Sequence, residues 1–359
     1  MCIRPGRPVY IQSWGSVVGK KEHDGPLGVL FDGWDETDLF GMDTFEKAES
    51  EMQKRAVGLA LAKGGCTPAE LDLLLAGDLV NQCIASTYGT LSFGLPYLGL
   101  FGACSTAAEG LLLSALLTGS TLSRAVSVTS SHFCSAERQF RYPLEYGGQR
   151  PPTSQWTVTG SGAFLCTAEA ADLTRMGHRY VPQITGVVIG RVVDGGIRDA
   201  ANMGAAMAPA AADTLLRYFE KDKSTGGIDM ILTGDLGREG SDILADLLWS
   251  HGMDVSGKLA DCGKMIYPMD KRADVHAGGS GCGCSAVVLA ADILENMRQG
   301  RLDTVVFVGT GALMNPMALS QGQSIPGVAH LLEIRRRDLT SAQIDTETFL
   351  ETLTFDEEK

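Results

Sequence analysis

The stretch Leu71-Asp72-Leu73-Leu74-Leu75-Ala76-Gly77-Asp78-Leu79 returns 157 positions later as Ile228-Asp229-Met230-Ile231-Leu232-Thr233-Gly234-Asp235-Leu236. Each copy is an apolar run of the length of a buried strand. Each follows a glycine pair, Gly64-Gly65 or Gly226-Gly227. Further on, Ala103-Cys104-Ser105 opens a small-residue helix before the strand Ala125–Thr129, and Gly283-Cys284-Ser285 opens one before Val305–Val308; both cysteine-to-strand distances are 21 residues. A period this long marks a duplicated βα unit, since solenoid repeats run only about 20–50 residues. The alternation predicts sheets covered by helices, with function at strand ends and helix starts. The expected organisation is an N-terminal half over 1–172, a C-terminal half over 173–332 and a polar tail over 333–359. The tail passes from basic (Arg335-Arg336-Arg337) to acidic (Asp356-Glu357-Glu358).

Local signals agree with this division. Asp43 with Glu46 reads as a capping box opening a helix that runs to about Lys63 and is closed by Gly64-Gly65. Thr67-Pro68-Ala69-Glu70 is a second start, and a further helix is expected over about Ala205–Lys221 before the second copy.

Composition removes several function classes. A chain of 359 residues with 44% hydrophobic content buries a large core, and a net charge of −13 disfavours nucleic acid. The nine cysteines form no paired metal-type array and fit a reducing compartment. Met1–Tyr10 carries Pro5 and Pro8 with no apolar segment behind it, so no secretory leader is expected there and the protein is assigned as intracellular. Ile84–Ala108 is uncharged, but its serines, threonines, Pro96 and four glycines suit buried core and a subunit interface better than a spanning helix. A homodimer is therefore expected, since such a segment is too apolar to leave exposed. No acidic cluster has the form of a calcium loop, so neither a built-in metal nor a cofactor is expected.

Cys104 is the residue most suited to chemistry. A cysteine at a helix start meets free N–H groups and the positive end of the macrodipole, which would lower its pKa and favour thiolate.

The surrounding residues carry a resemblance. The duplicated halves with Gly102-Ala103-Cys104-Ser105-Thr106-Ala107 resemble the thiolase and ketoacyl-synthase superfamily. Within it the chain is similar to the stage V sporulation protein AD family, through Asp24-Gly25-Pro26-Leu27-Gly28, Ala136-Glu137-Arg138-Gln139-Phe140-Arg141-Tyr142-Pro143, Met207-Ala208-Pro209-Ala210-Ala211-Ala212-Asp213-Thr214 and Ala277-Gly278-Gly279-Ser280-Gly281-Cys282. The resemblance implies a thiolase-like α/β fold, with two pseudo-symmetric βα halves in a layered α/β/α/β/α arrangement. It also places the superfamily nucleophile at Cys104. Of the accessory groups, the His or Asn of the second half falls at Asp235, an acid that cannot donate a hydrogen bond while ionised. A HxxG phrase survives as His276-Ala277-Gly278-Gly279, and Phe307 stands about where a second cysteine belongs.

Catalysis is therefore not expected; Cys104, His276 and Asp235 are a degenerate set. The family resemblance implies binding of dipicolinic acid, a pyridine ring with two carboxylates, alone or as its calcium chelate. It further implies dipicolinate movement into the developing spore and out at germination, peripheral placement on the spore inner membrane without a transmembrane helix, and docking on other stage V sporulation A membrane proteins. Between His132 and Trp156 three arginines (Arg138, Arg141, Arg150) face two glutamates (Glu137, Glu145) amid aromatic residues. Planar guanidinium suits carboxylates. The candidate ligand contacts are Cys104, Ser131, His132, Glu137, Arg138, Arg141 and Tyr146, with Arg138 or Arg141 as the carboxylate clamp. The alternatives are an acyltransferase using Cys104 with His276 as base, and a structural adaptor that plugs a spore membrane channel.

Overall fold

The apolar phrases repeated in the sequence become equivalent central strands of two sheets. A computed structural model describes residues 1–140, 150–169, 173, 177–220, 224–268 and 274–339. The first half supplies β1 (Val9–Gly19), β2 (Gly33–Asp35), β3 (Leu73–Gly77), β4 (Tyr97–Leu100), β5 (Arg124–Ser131), β6 (Trp156–Thr157) and β7 (Gly160–Thr167). The second supplies β8 (Tyr180–Val188), β9 (Met230–Thr233), β10 (Leu259–Asp261), β11 (Gly279–Ser280), β12 (Thr304–Ala312) and β13 (Gly327–Asp338). The order β1-β7-β5-β3-β4 is repeated as β8-β13-β12-β9-β10, with the same parallel and antiparallel sense at each step. β3 thus corresponds to β9, as the 157-residue repeat requires. The two sheets are joined where Val9 and Tyr10 pair antiparallel with Ile184 and Gln183.

The helices that matter here are α1 (Lys20–His23), α2 (Phe45–Gly64), α3 (Ile84–Thr90), α4 (Thr106–Thr118), α5 (Phe133–Phe140), α6 (Met203–Tyr218), α7 (Gly237–Ser250), α8 (Cys262–Ile266) and α9 (Cys282–Val288). α2 covers β1, β5 and β7 of the first sheet, and α6 covers β12 and β13 of the second. α4 lies between them, touching β5 and β7 of its own half and β12 and β13 of the other, and α9 packs beside it. The layers are α/β/α/β/α, and the fold is thiolase-like.

α4 can occupy the middle because nearly every face is apolar: Ala107, Ala108, Leu111, Leu112 and Ala115 are all buried. Its approach to β12 depends on two glycines. A Cβ on Gly309 would lie 2.4 Å from that of Ala108, and one on Gly311 would lie 2.4 Å from the Gly102 carbonyl oxygen.

Three boundaries differ from expectation. α2 is capped by Thr44, whose side chain accepts from the Lys47 N–H, while Asp43 pairs with the Lys47 ammonium. A threonine one position later satisfies the orphan donor, leaving the aspartate to act as a charge at the helix start. The tail does not begin at Glu333, because Glu333–Asp338 are the last residues of β13 and pair with β8. Arg335 reaches Glu333 and Arg336 reaches Asp303, so the basic run is compatible with the C-terminal end of an interior strand between β12 and β8. The cysteine-led phrase of the first half makes a single 3₁₀ turn, Ala103–Ser105, before α4 starts at Thr106. Among the described residues no helix is long and apolar enough to cross a membrane.

Candidate functional site

Cys104 sits on a turn held by its neighbours. Ala103 takes a left-handed φ of 50°, and the strain is offset by three local bonds: Ser105 Oγ to Gly102 O at 2.6 Å, Thr106 Oγ1 to Ala103 O at 2.6 Å, and Gly102 N to Thr106 Oγ1 at 3.0 Å. The turn aims Cys104 into a cavity of about 40 Å³ whose apolar wall includes Leu79, Phe101, Phe140 and Met314, with Glu137, Thr157 and Ser280 supplying polar atoms.

Across from the thiol stands Asp235, at the end of β9. It is buried and accepts from the Gly281 N–H at 2.9 Å and from Thr310 Oγ1 at 3.0 Å. The buried Cys104 thiol faces this carboxyl. Burial raises the Asp235 carboxyl to about 7, its hydrogen bonds pulling the other way. For Cys104, burial raises the pKa well above its ordinary value, and the Asp235 carboxylate raises it further; the Gly281 N–H and Ser280 oppose this only in part. The expected activation by a helix start is thus reversed, since desolvation and a facing acid outweigh the few dipoles of one turn. The sulfur is a neutral thiol in the wall of the cavity, not a thiolate.

The remaining candidates scatter. Glu137 lines the cavity and accepts from Thr157 Oγ1 at 3.0 Å. Ser131 is buried in β5, with its Oγ donating to Val158 O and accepting from the Gly283 N–H. His132 is buried and its pKa lowered, first by burial. Its Nδ1 accepts from the Cys134 N–H at 3.2 Å, so Nε2 carries the proton and donates to Asp38 O at 2.9 Å. Both nitrogens are occupied away from the cavity lining. Arg138 pairs with Glu46 and lies in a separate groove of about 960 Å³ between α2, α3 and α5. Arg141 and Tyr146 lie outside the described residues. His276, at a left-handed φ of 46°, is absent from the cavity lining and pairs with Asp274 Oδ1 at 3.0 Å. Phe307 is core.

Among the described residues Arg150 reaches a residue of the cavity lining, Glu137. It lies over the rings of Trp156 and Phe133, 5.0 and 6.0 Å from their centroids, donates to Gln155 O, and comes within 3.8 Å of Glu137 Oε1. It lies in the same arginine-bearing segment as Arg138 and Arg141. The available signal was Trp156, whose flat face fixes a guanidinium beside it.

This arrangement can receive a carboxylate by hydrogen bonding; it is poorly arranged for nucleophilic attack. Asp235→Asn removes the facing charge, so alkylation of Cys104 by a small haloacetamide at neutral pH is expected to speed up severalfold. An unchanged rate, followed by peptide mass spectrometry, would show that Asp235 does not control the thiol.

A family profile described as stage V sporulation protein AD matches residues 3–335. The stage V sporulation protein AD of Bacillus subtilis (strain 168) is 45% identical over 325 residues, covering 90% of this chain and 93% of that protein. Among solved structures, an OleA of Xanthomonas campestris crystallised with lauric acid and lauroyl-CoA superposes with a TM-score of 0.58 at 12% identity, covering 92% of this chain and 99% of that one. A 3-oxoacyl-[acyl-carrier-protein] synthase III from Aquifex aeolicus VF5 superposes with a TM-score of 0.52 at 12% identity, covering 91% and 99%. At that identity the structural likenesses establish the fold alone.

Proposed function

Since the chain belongs to the stage V sporulation protein AD family, we propose that it binds dipicolinic acid at the Cys104 cavity without catalysing a reaction on it, serving dipicolinate uptake into the developing spore and release at germination. The observation that carries this reading is the burial of Cys104 opposite the Asp235 carboxyl: a thiol held neutral by burial and a facing acid, with His276 absent from the cavity lining, offers a wall and not a nucleophile. Glu137 on the lining would repel a dianion by itself, and Arg150 beside it supplies the compensating charge. Ligand entry would exchange the Glu137 contact of Arg150 for a bidentate one to a ligand carboxylate, while Trp156 and Phe133 hold the guanidinium plane. At about 40 Å³ the space holds only a few waters, so entry also requires rim side chains to swing out. Phe101, half exposed, is the natural one. Calorimetric titration with dipicolinate, with and without calcium, tests the reading. Saturable heat supports it and flat traces overturn it; the calcium arm separates the free acid from its chelate.

The same reading has the protein act as a dimer, peripheral to the spore inner membrane and docked on other stage V sporulation A membrane proteins. Support for dimerisation comes from β4, an edge strand flanked by exposed apolar residues: Tyr88 is 66% exposed, Leu91 72% and Leu98 46%. Unpaired edge groups beside an apolar patch favour pairing with a second copy. Leu98→Lys, a charge on that edge, is expected to shift sedimentation from dimer to monomer. A wild-type chain that sediments only as monomer at high micromolar concentration would count against the interface.

A further inference from the structure

Behind the cavity wall lies a set of buried groups that the binding reading leaves unused. Glu49 of α2 and Asp78, just after β3, are both fully buried, and among the described residues no Lys, Arg or His forms an ion pair with either. They are linked through side chains. Ser130 Oγ donates to Glu49 Oε1 at 2.9 Å, and Ser135 Oγ, on α5, donates to Glu49 Oε2 at 2.8 Å. Gln53 Nε2 lies 2.8 Å from Ser130 Oγ and 3.0 Å from Ser86 Oγ. Ser86, on α3, gives its N–H and its hydroxyl to Asp78 Oδ2, and Val80 gives its N–H to Oδ1.

The donors divide the two acids into different states. Burial raises the Asp78 carboxyl too, but two of the three groups facing it are backbone N–H, which cannot turn away, so Asp78 is the member of the pair that ionises first. Glu49 meets only hydroxyls, and Ser135 has a second acceptor, His132 O at 3.2 Å. A proton on Glu49 Oε2 can therefore be given to Ser135 Oγ while Ser135 turns its own to His132 O, with no polar atom orphaned. We propose that Glu49 is a positioning residue that carries this proton in the folded protein and, through Ser135, holds α5, with the cavity residues Ala136, Glu137 and Phe140, against α2, and that loss of the proton, by placing a second buried charge beside Asp78, loosens that wall. That the wall bounds a ligand site rests on the reading above; the latch does not.

The surroundings favour the neutral form. Burial first, and the charge of Asp78 next, hold the Glu49 carboxyl above its ordinary range. The other groups facing it leave that balance in place. Cys282, at the start of α9, donates its thiol to Ser130 O at 2.9 Å. His132 is the neutral tautomer bonded to Asp38 O. Arg138 of α5 is engaged by Glu46, one turn earlier on α2, and Glu137 points to the cavity. With a folded pKa above the unfolded one, the folding constant falls up to tenfold per pH unit as pH rises from the ordinary carboxyl range, and levels off once Glu49 ionises in the folded state.

The test is amide hydrogen exchange over residues 133–140 in the ligand-free full chain, corrected for intrinsic rates, at neutral and alkaline pH. The wild type is expected to lose about tenfold or more of its protection there, Glu49→Gln to keep the same protection at both, and Asp78→Asn to move the wild-type transition to lower pH. Wild-type protection that does not change, a fall in Glu49→Gln equal to the wild type's, or an unmoved transition in Asp78→Asn would each overturn the proposal. If Glu49→Gln does not fold, Asp78→Asn carries the test. Because dipicolinate is absent from the readout, failure of the ligand reading and failure of the latch are told apart.

Discussion

Arg150→Ala is expected to weaken dipicolinate binding by about 2–5 kcal/mol, the cost of truncating one partner of a buried charge-assisted contact, or roughly thirtyfold to a few thousandfold in Kd. The size follows from its position. Arg150 comes within 3.8 Å of the acid that lines the cavity, and two aromatic faces hold its plane. Arg150→Lys keeps the charge but loses the fork and the stacking, so it should fall between alanine and wild type. Arg138→Ala, acting on an exposed pair in the other groove, should leave affinity within about 0.5 kcal/mol. Titration calorimetry of the three variants decides the matter: an unchanged Kd in Arg150→Ala would remove the clamp from the account.

The second large effect concerns stability. Asp261→Ala is expected to cost about 3–5 kcal/mol, read as a lower denaturant midpoint with little change in slope. Asp261 is buried at the end of β10 and accepts four donors: Thr233 Oγ1 at 2.6 Å and the N–H groups of Leu236, Gly237 and Lys264 at 2.8, 3.0 and 3.1 Å. Alanine would leave three backbone N–H groups with no acceptor, and the Leu236–Gly237 turn that follows Asp235 would lose its anchor. Asn retains one acceptor oxygen and should cost less. Burial raises the Asp261 carboxyl to about 6 from an ordinary 3.8, its four donors acting the other way. A folded pKa above the unfolded one means that its contribution is greatest below about 3.8 and declines as pH rises to about 6. Wild-type stability in Asp261→Ala would show that water satisfies these donors.

Much of the fold was legible because duplication writes the same strand twice. The phrases around Leu73–Gly77 and Met230–Thr233 form the strands their apolar runs predict, while the helix expected from Cys104 begins only at Thr106, after a 3₁₀ turn, and the one expected from Gly283-Cys284-Ser285 begins at Cys282. Contacts between distant strands were not legible. Nothing local announces that Val9 and Tyr10 meet Ile184 and Gln183, and a basic run such as Arg335-Arg336-Arg337 reads as tail until Glu333 and Asp303 are seen beside it. The site was legible at Cys104, Asp235 and Glu137 and obscure elsewhere, for geometric reasons. Arg138 follows Glu137 on a helix, so about 100° of rotation turns it from the cavity into the neighbouring groove. The left-handed backbone at His276 turns the HxxG histidine toward Asp274. The low thiol pKa read from a helix start failed because burial and a facing carboxyl are tertiary facts.

Cys104 is proposed to line a binding site and to do no chemistry. The most direct test measures dipicolinate affinity of wild type and Cys104→Ala by calorimetry, together with the intact mass of each after incubation with acyl-CoA. The account predicts affinities within about 0.5–1.5 kcal/mol of each other, the worth of one neutral hydrogen bond, and no added mass on either protein. An acyl adduct on the wild type that is missing from Cys104→Ala, with no heat from dipicolinate in either, would contradict it.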